Sequence, residues 1–130
     1  MCGRYTLFAD AIQIGDRFYI VNLNQSVIRP RYNIAPSQKV AAFVRDEEKQ
    51  ENRLGMLRWG LIPVWAKDMS IGFKMINARA ETVHEKPAYK RLLKKRRCLI
   101  PASGFFEWKK LGSRKQPYHI RLKNEEMFAF

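Results

Sequence analysis

Turn residues cut this chain into short strand-like runs, and that spacing constrains its fold more than any other feature. Arg4 to Phe8 is rich in β-branched and aromatic residues and reads as a strand. Lys39 to Arg45 and Arg53 to Leu61 flank the charged segment Asp46 to Asn52, a pattern that predicts a hairpin with a solvated tip. Cys98 to Ile100, Gly104 to Lys109 and Tyr118 to Leu122 follow, separated by Pro101-Ala102-Ser103 and Leu111-Gly112-Ser113. Short strands with short connections predict a mixed α+β fold dominated by antiparallel sheet, with short flanking helices.

The helical signals are fewer. Asp10 has the chemistry of an N-cap before an imperfect stripe of Ala11, Ile12, Ile14, Phe18 and Tyr19. Ala78 to Glu85 and Pro87 to Arg97 are further helix candidates, the second surrounded by lysine and arginine. Val21 to Arg31 reads as a loop, and residues 66–78 show no period. In the strand around Glu107, alternation puts Phe106 and Trp108 on one face and Phe105, Glu107 and Lys109 on the other. Trp108, opposite a carboxylate, is expected to point into the core. Tyr118, Ile120 and Leu122 share a face, with His119 and Arg121 on the more polar side.

At 130 residues the length suits one domain with one core, here residues 1–130. Lys and Arg number 25 against 12 Asp and Glu, a formal net charge of +13. An excess of that size suits a polyanionic partner, most simply nucleic acid, because basic side chains displace counterions from phosphates. Two cysteines, Cys2 and Cys98, are too few for a disulfide scaffold, and a reducing cytosolic setting fits them. No stretch reaches eighteen consecutive apolar residues, which argues against a membrane span. The two histidines, His84 and His119, are far apart in sequence, so no metal site is expected.

The chemistry-bearing stretch is Met1-Cys2-Gly3-Arg4. Removal of Met1 would leave Cys2 with an amine and a thiol on neighbouring carbons, a 1,2-aminothiol. Its amine attacks an aldehyde to give an imine, and its thiol closes that imine to a thiazolidine ring without any cofactor. Both groups titrate near neutrality, at roughly 7.7 to 8.0 and about 8.5. Positive charge from Arg4 is expected to raise the thiolate fraction. The simpler reading makes Cys2 a small apolar residue opening a strand.

Six separated motifs then occur in one order: Met1-Cys2-Gly3-Arg4-Tyr5, Tyr32-Asn33-Ile34-Ala35-Pro36, Arg58-Trp59-Gly60-Leu61-Ile62-Pro63, Ile76-Asn77-Ala78-Arg79-Ala80-Glu81-Thr82, Arg97-Cys98-Leu99-Ile100-Pro101 and Gly104-Phe105-Phe106-Glu107-Trp108. In that order they resemble the SOS-response-associated peptidase (SRAP) family along the whole chain. The resemblance implies a barrel-like fold and a DNA-associated protein that recognises abasic sites in single-stranded DNA and crosslinks to them through Cys2. It implies that Asn77 positions the N-terminal residue and the sugar, and that Glu107 moves protons during imine formation, given a raised pKa. Arg4 and Arg79 are candidates for gripping phosphates. Asn33 belongs to the same DNA-binding set through its motif, while Pro36, Trp65 and Trp108 are candidates for a wall on which bases stack. Taken by themselves, Glu107 is a solvated strand residue, Asn77 a turn or cap residue, and the two arginines surface charge. The run Lys94-Lys95-Arg96-Arg97 reads as a solvated helix end that would also extend a phosphate track.

The resemblance also implies strands beyond Phe130 and a histidine motif that assists imine chemistry. The residues contain no counterpart, and His119, in the strand after Phe106-Glu107-Trp108, does not fit that part. A domain lacking its C-terminal strands is therefore expected, with its open edge completed by another copy of the chain. Two other functions share these residues. An N-terminal-nucleophile hydrolase or glutamine amidotransferase also begins Cys-Gly, and a non-catalytic single-strand binder would need only the positive charge.

Overall fold

The structure is a computed structural model that describes residues 2–20 and 28–130. The central strand is β1 (Arg4–Leu7), which runs antiparallel between β2 (Arg31–Ile34) and β6 (Gly104–Leu111). β7 (Arg114–Ile120) extends the sheet beyond β6, giving the order β2-β1-β6-β7. Tyr5 and Leu7 of β1 are buried with Ile34 of β2, so the middle of this sheet forms the floor of the core. β3 (Lys39–Asp46) and β4 (Glu51–Arg58) make a separate hairpin, and β5 (Pro101–Ala102) pairs with β8 (Phe128–Ala129). Backbone hydrogen bonds tie the pieces together. Phe43 and Leu99 exchange N–H to O bonds of 2.7 and 2.9 Å, and Ser103 N donates to Thr6 O at 2.8 Å. Among the described residues the strands do not close into a barrel, because β4 and β7 each have one edge without a partner strand.

Helix α1 (Ala11–Phe18) begins as the sequence predicts. The Asp10 carboxylate accepts from Gln13 N at 2.8 Å, and the Gln13 side chain returns a bond to Asp10 N at 3.0 Å, a reciprocal capping box. Ile14 is fully buried and Phe18 packs on Phe43 with ring centroids 4.9 Å apart, which seats α1 against β3. Tyr19 ends the helix with a positive φ of 53°.

Several expectations need correction. Residues 80–85 form turns rather than a helix, and the 87–97 candidate is two single turns, α2 (Pro87–Lys90) and α3 (Leu92–Lys95). Neither buries a residue, and neighbouring like charges disfavour a longer helix. β4 stops at Arg58 because Gly60 turns the chain with φ 129°, and a side chain there would collide with the Gly72 carbonyl. Asp68 caps a 3-10 helix at Met69–Phe73 in the stretch that showed no period. Leu99 makes only the single bridge to Phe43, and the strand lies one step later at β5. β7 begins at Arg114 and ends at Ile120, earlier than expected at both ends. Of the 21–31 loop, residues 21–27 lie outside the described residues and Arg31 already opens β2.

Candidate active site

Cys2 lies half-buried just before β1, with Gly3 between them. Its thiol donates to Arg4 O at 2.9 Å, and its own carbonyl accepts from Asn77 Nδ2 at 3.0 Å. The pairing of β1 with β6 brings Glu107 close enough for its negative charge to act on the thiol. Burial pushes the Cys2 pKa up, backbone hydrogen bonding at Arg4 opposes this, and the Glu107 charge adds to it. The expectation of a thiolate favoured by Arg4 is therefore reversed. The Arg4 guanidinium instead donates to Asn33 Oδ1 at 2.8 Å, across the β1 to β2 pairing.

Asn77 comes from a segment that is neither helix nor strand. Met75 O accepts from Leu61 N, Ile76 O from Trp59 Nε1, both at 2.9 Å, and Asn77 O from Tyr89 Oη at 3.4 Å. The sequence showed Trp59 only as part of a motif, and Tyr89 only as a position within the Pro87 to Arg97 helix candidate. The available signal was that an indole and a phenol beside an irregular segment need acceptors when buried.

Glu107 and Trp108 lie on opposite faces of β6, as alternation requires, but the core is on the Glu107 side. Phe105 packs edge-on to Phe128 and Phe130, whereas Trp108 is 43% exposed and stands beside Phe106 on the outer face. The inward position expected for Trp108 is thus overturned, because Phe105 fills the space over Tyr5. On that outer face the His119 ring lies tilted against Phe106, with centroids 4.8 Å apart. Thr6 Oγ1 donates to Gly104 O at 3.2 Å, which leaves its oxygen to accept from His119 Nε2 at 3.0 Å. Gly104 must lack a side chain, because a Cβ there would run into the His119 ring. Desolvation, with Arg121 nearby, pushes the His119 pKa down.

The structure thus brings Cys2, Asn77 and Glu107 together before the start of β1, while Arg4, paired with Phe106, and its partner Asn33 lie on the Trp108 face of the sheet. The other candidates are not drawn into that group by any hydrogen bond or ring contact among the described residues. Arg79 is exposed two residues after Asn77. Pro36 is half-buried in the turn after β2, where Ser37 takes a positive φ of 71°. Trp65 is 62% exposed and lines an open cavity of about 420 Å³ with Lys67 and Lys74. Lys94, Lys95 and Arg97 line a different cavity of about 550 Å³ with Phe43, Leu99 and Phe130. Among the described residues no helix is long and apolar enough to cross a membrane.

The SOS response associated peptidase (SRAP) family profile matches residues 1–130. Among curated relatives, the abasic site processing protein YoaM of Bacillus subtilis is 53% identical over all of this chain and 57% of its own length. The abasic site processing protein HMCES of Gallus gallus is 37% identical over 75% of this chain and 32% of its own. A crystal structure of a Bacteroides thetaiotaomicron protein superposes with a TM-score of 0.80 at 28% identity, covering 98% of this chain and 57% of that one. The chain spans a little over half the length of YoaM and of the Bacteroides protein. By its sequence profile and by these relatives alike, the chain belongs to the SRAP family.

Proposed function

We propose that this chain captures abasic sites in single-stranded DNA as a covalent thiazolidine at Cys2 once Met1 is removed. Curated relatives carry the name abasic site processing protein. The observation that carries the reading is the Cys2 environment: its carbonyl is held by Asn77, and Glu107 lies close enough for its charge to act on the thiol. An abasic deoxyribose opens to an aldehyde. The Cys2 amine adds to the aldehyde carbon, the carbinolamine loses water to give an imine, and the sulfur then adds to the imine carbon while its proton passes to nitrogen. One water leaves overall, and no oxidant or metal takes part in the balance. Glu107 carries protons in these steps, and Asn77 holds the residue that supplies both nucleophiles.

Arg4, Asn33, Arg79, Pro36, Trp65 and Trp108 make up the DNA-binding set in this reading. The arginines contact phosphate, and the exposed tryptophans offer stacking faces. Residues 1–130 act as one unit of the SRAP domain, associated with DNA, and a second copy can cover the open strand edge. A lyase side activity arises if the imine eliminates before the ring closes. Incubation with an abasic single-stranded oligonucleotide gives an adduct that survives denaturation and is lost with Cys2→Ala. Equal crosslinking by Cys2→Ala overturns the assignment, and amide hydrolysis without DNA supports the N-terminal-nucleophile alternative instead.

A further inference from the structure

Asn77 has to present its side chain to the Cys2 carbonyl from a segment with no regular structure of its own. Such a segment keeps a side-chain direction only if its backbone is tied down. Three consecutive carbonyls are tied by three different donors: Met75 O by Leu61 N, Ile76 O by the Trp59 indole and Asn77 O by the Tyr89 phenol. The two side-chain donors are themselves anchored. Trp59 packs edge-on against buried Tyr5 of β1, with centroids 5.5 Å apart at 63°, and its backbone N–H donates to Gln38 O at 3.0 Å. Behind it, Gly60 and Gly72 come so close that no side chain fits at Gly60. Tyr89 reaches in from α2, and desolvation pushes its pKa up, so the phenol stays a donor.

We propose that Trp59 and Tyr89 are positioning residues for Cys2: by pinning the carbonyls of Ile76 and Asn77 they aim the Asn77 amide at the Cys2 carbonyl and fix where the N-terminal amine and thiol meet an aldehyde. Neither side chain touches the reacting atoms. The aldehyde is the part of this inference that rests on the abasic-site reading; the orientation of Asn77 does not.

The test uses Trp59→Phe and Tyr89→Phe in the whole chain, each removing a donor and keeping an aromatic ring. Isotope-edited NMR is expected to show the Asn77 side-chain amide signals displaced in both variants, while the amides of β3 and β4 hold still. The single-turnover rate with saturating abasic oligonucleotide falls roughly three- to tenfold, the loss of one hydrogen bond. Affinity for an undamaged strand is unchanged. In an Asn77→Ala background neither substitution lowers the rate further, because both act through Asn77. Unmoved Asn77 signals, or rate losses of the same size with Asn77→Ala present, overturn the proposal. If Trp59→Phe does not fold, Tyr89→Phe decides alone. Failure of the unsubstituted chain to form any adduct overturns the abasic-site reading instead, and the Asn77 signals still decide the positioning.

Discussion

The two hairpins of this molecule have ladders of similar length and opposite surroundings. β3–β4 pairs without interruption from Lys39↔Arg58 to Asp46↔Glu51, and β6–β7 from Phe105↔Ile120 to Leu111↔Arg114. In β3 the run Val40, Ala41, Ala42 and Phe43 is buried, with α1 against it. In β7 every residue is exposed, including Tyr118 and Ile120. Pro117, which has no N–H to give a ladder, is accommodated because β7 is an edge strand. Pairing is therefore a local property of strand pattern and turn, whereas burial depends on what else packs there. The buried strand β3 holds the fold together, while β6, paired with the exposed β7, carries Glu107 and Trp108, where they can meet a ligand.

Substitutions can break this contrast, beginning with the largest effect. Phe43→Ala removes a ring packed against Phe18 and is expected to destabilise the chain by about 3 to 5 kcal/mol in denaturant unfolding. A cost below about 1 kcal/mol would mean that β3 is not the structural hairpin. Trp108→Ala is expected to weaken single-stranded DNA binding by about 1 to 3 kcal/mol with little change in stability. The reverse pattern, stable binding and a large loss of stability, would place Trp108 in the core after all. Glu107→Gln removes a negative charge that disfavours the thiolate, so the Cys2 pKa falls and its alkylation profile moves to lower pH. A profile that stays in place or moves upward contradicts the proximity of the two groups. The smallest effect belongs to Tyr118→Ala, expected to cost under about 1 kcal/mol because the side chain is 49% exposed.

The local features were legible in the sequence. Asp10 as a cap, the β3–β4 hairpin and the opposite facing of Glu107 and Trp108 follow from spacing alone, because each depends on residues a few positions apart. Which face of β6 turns inward did not follow, since it depends on Phe105 meeting Phe128 and Phe130 from the distant end of the chain. The lysine- and arginine-rich stretch near Leu92 kept apolar residues at helical spacing, yet it buries no residue and forms only single helical turns. Asn77 was singled out by its motif, but the hydrogen bonds that hold its backbone come from Leu61, Trp59 and Tyr89, and no period connects those positions. The upward shift at Cys2 was also out of reach, because it arises from burial that only the assembled fold creates.

The central claim is that Cys2, once Met1 is gone, captures an aldehyde covalently. Intact mass of the purified chain, before and after exposure to an abasic single-stranded oligonucleotide, tests it most directly. The account predicts a starting mass lacking Met1 and a heat-stable product equal to protein plus DNA minus one water, with none formed by Cys2→Ala. A starting mass lacking Met1 with no such product would contradict it.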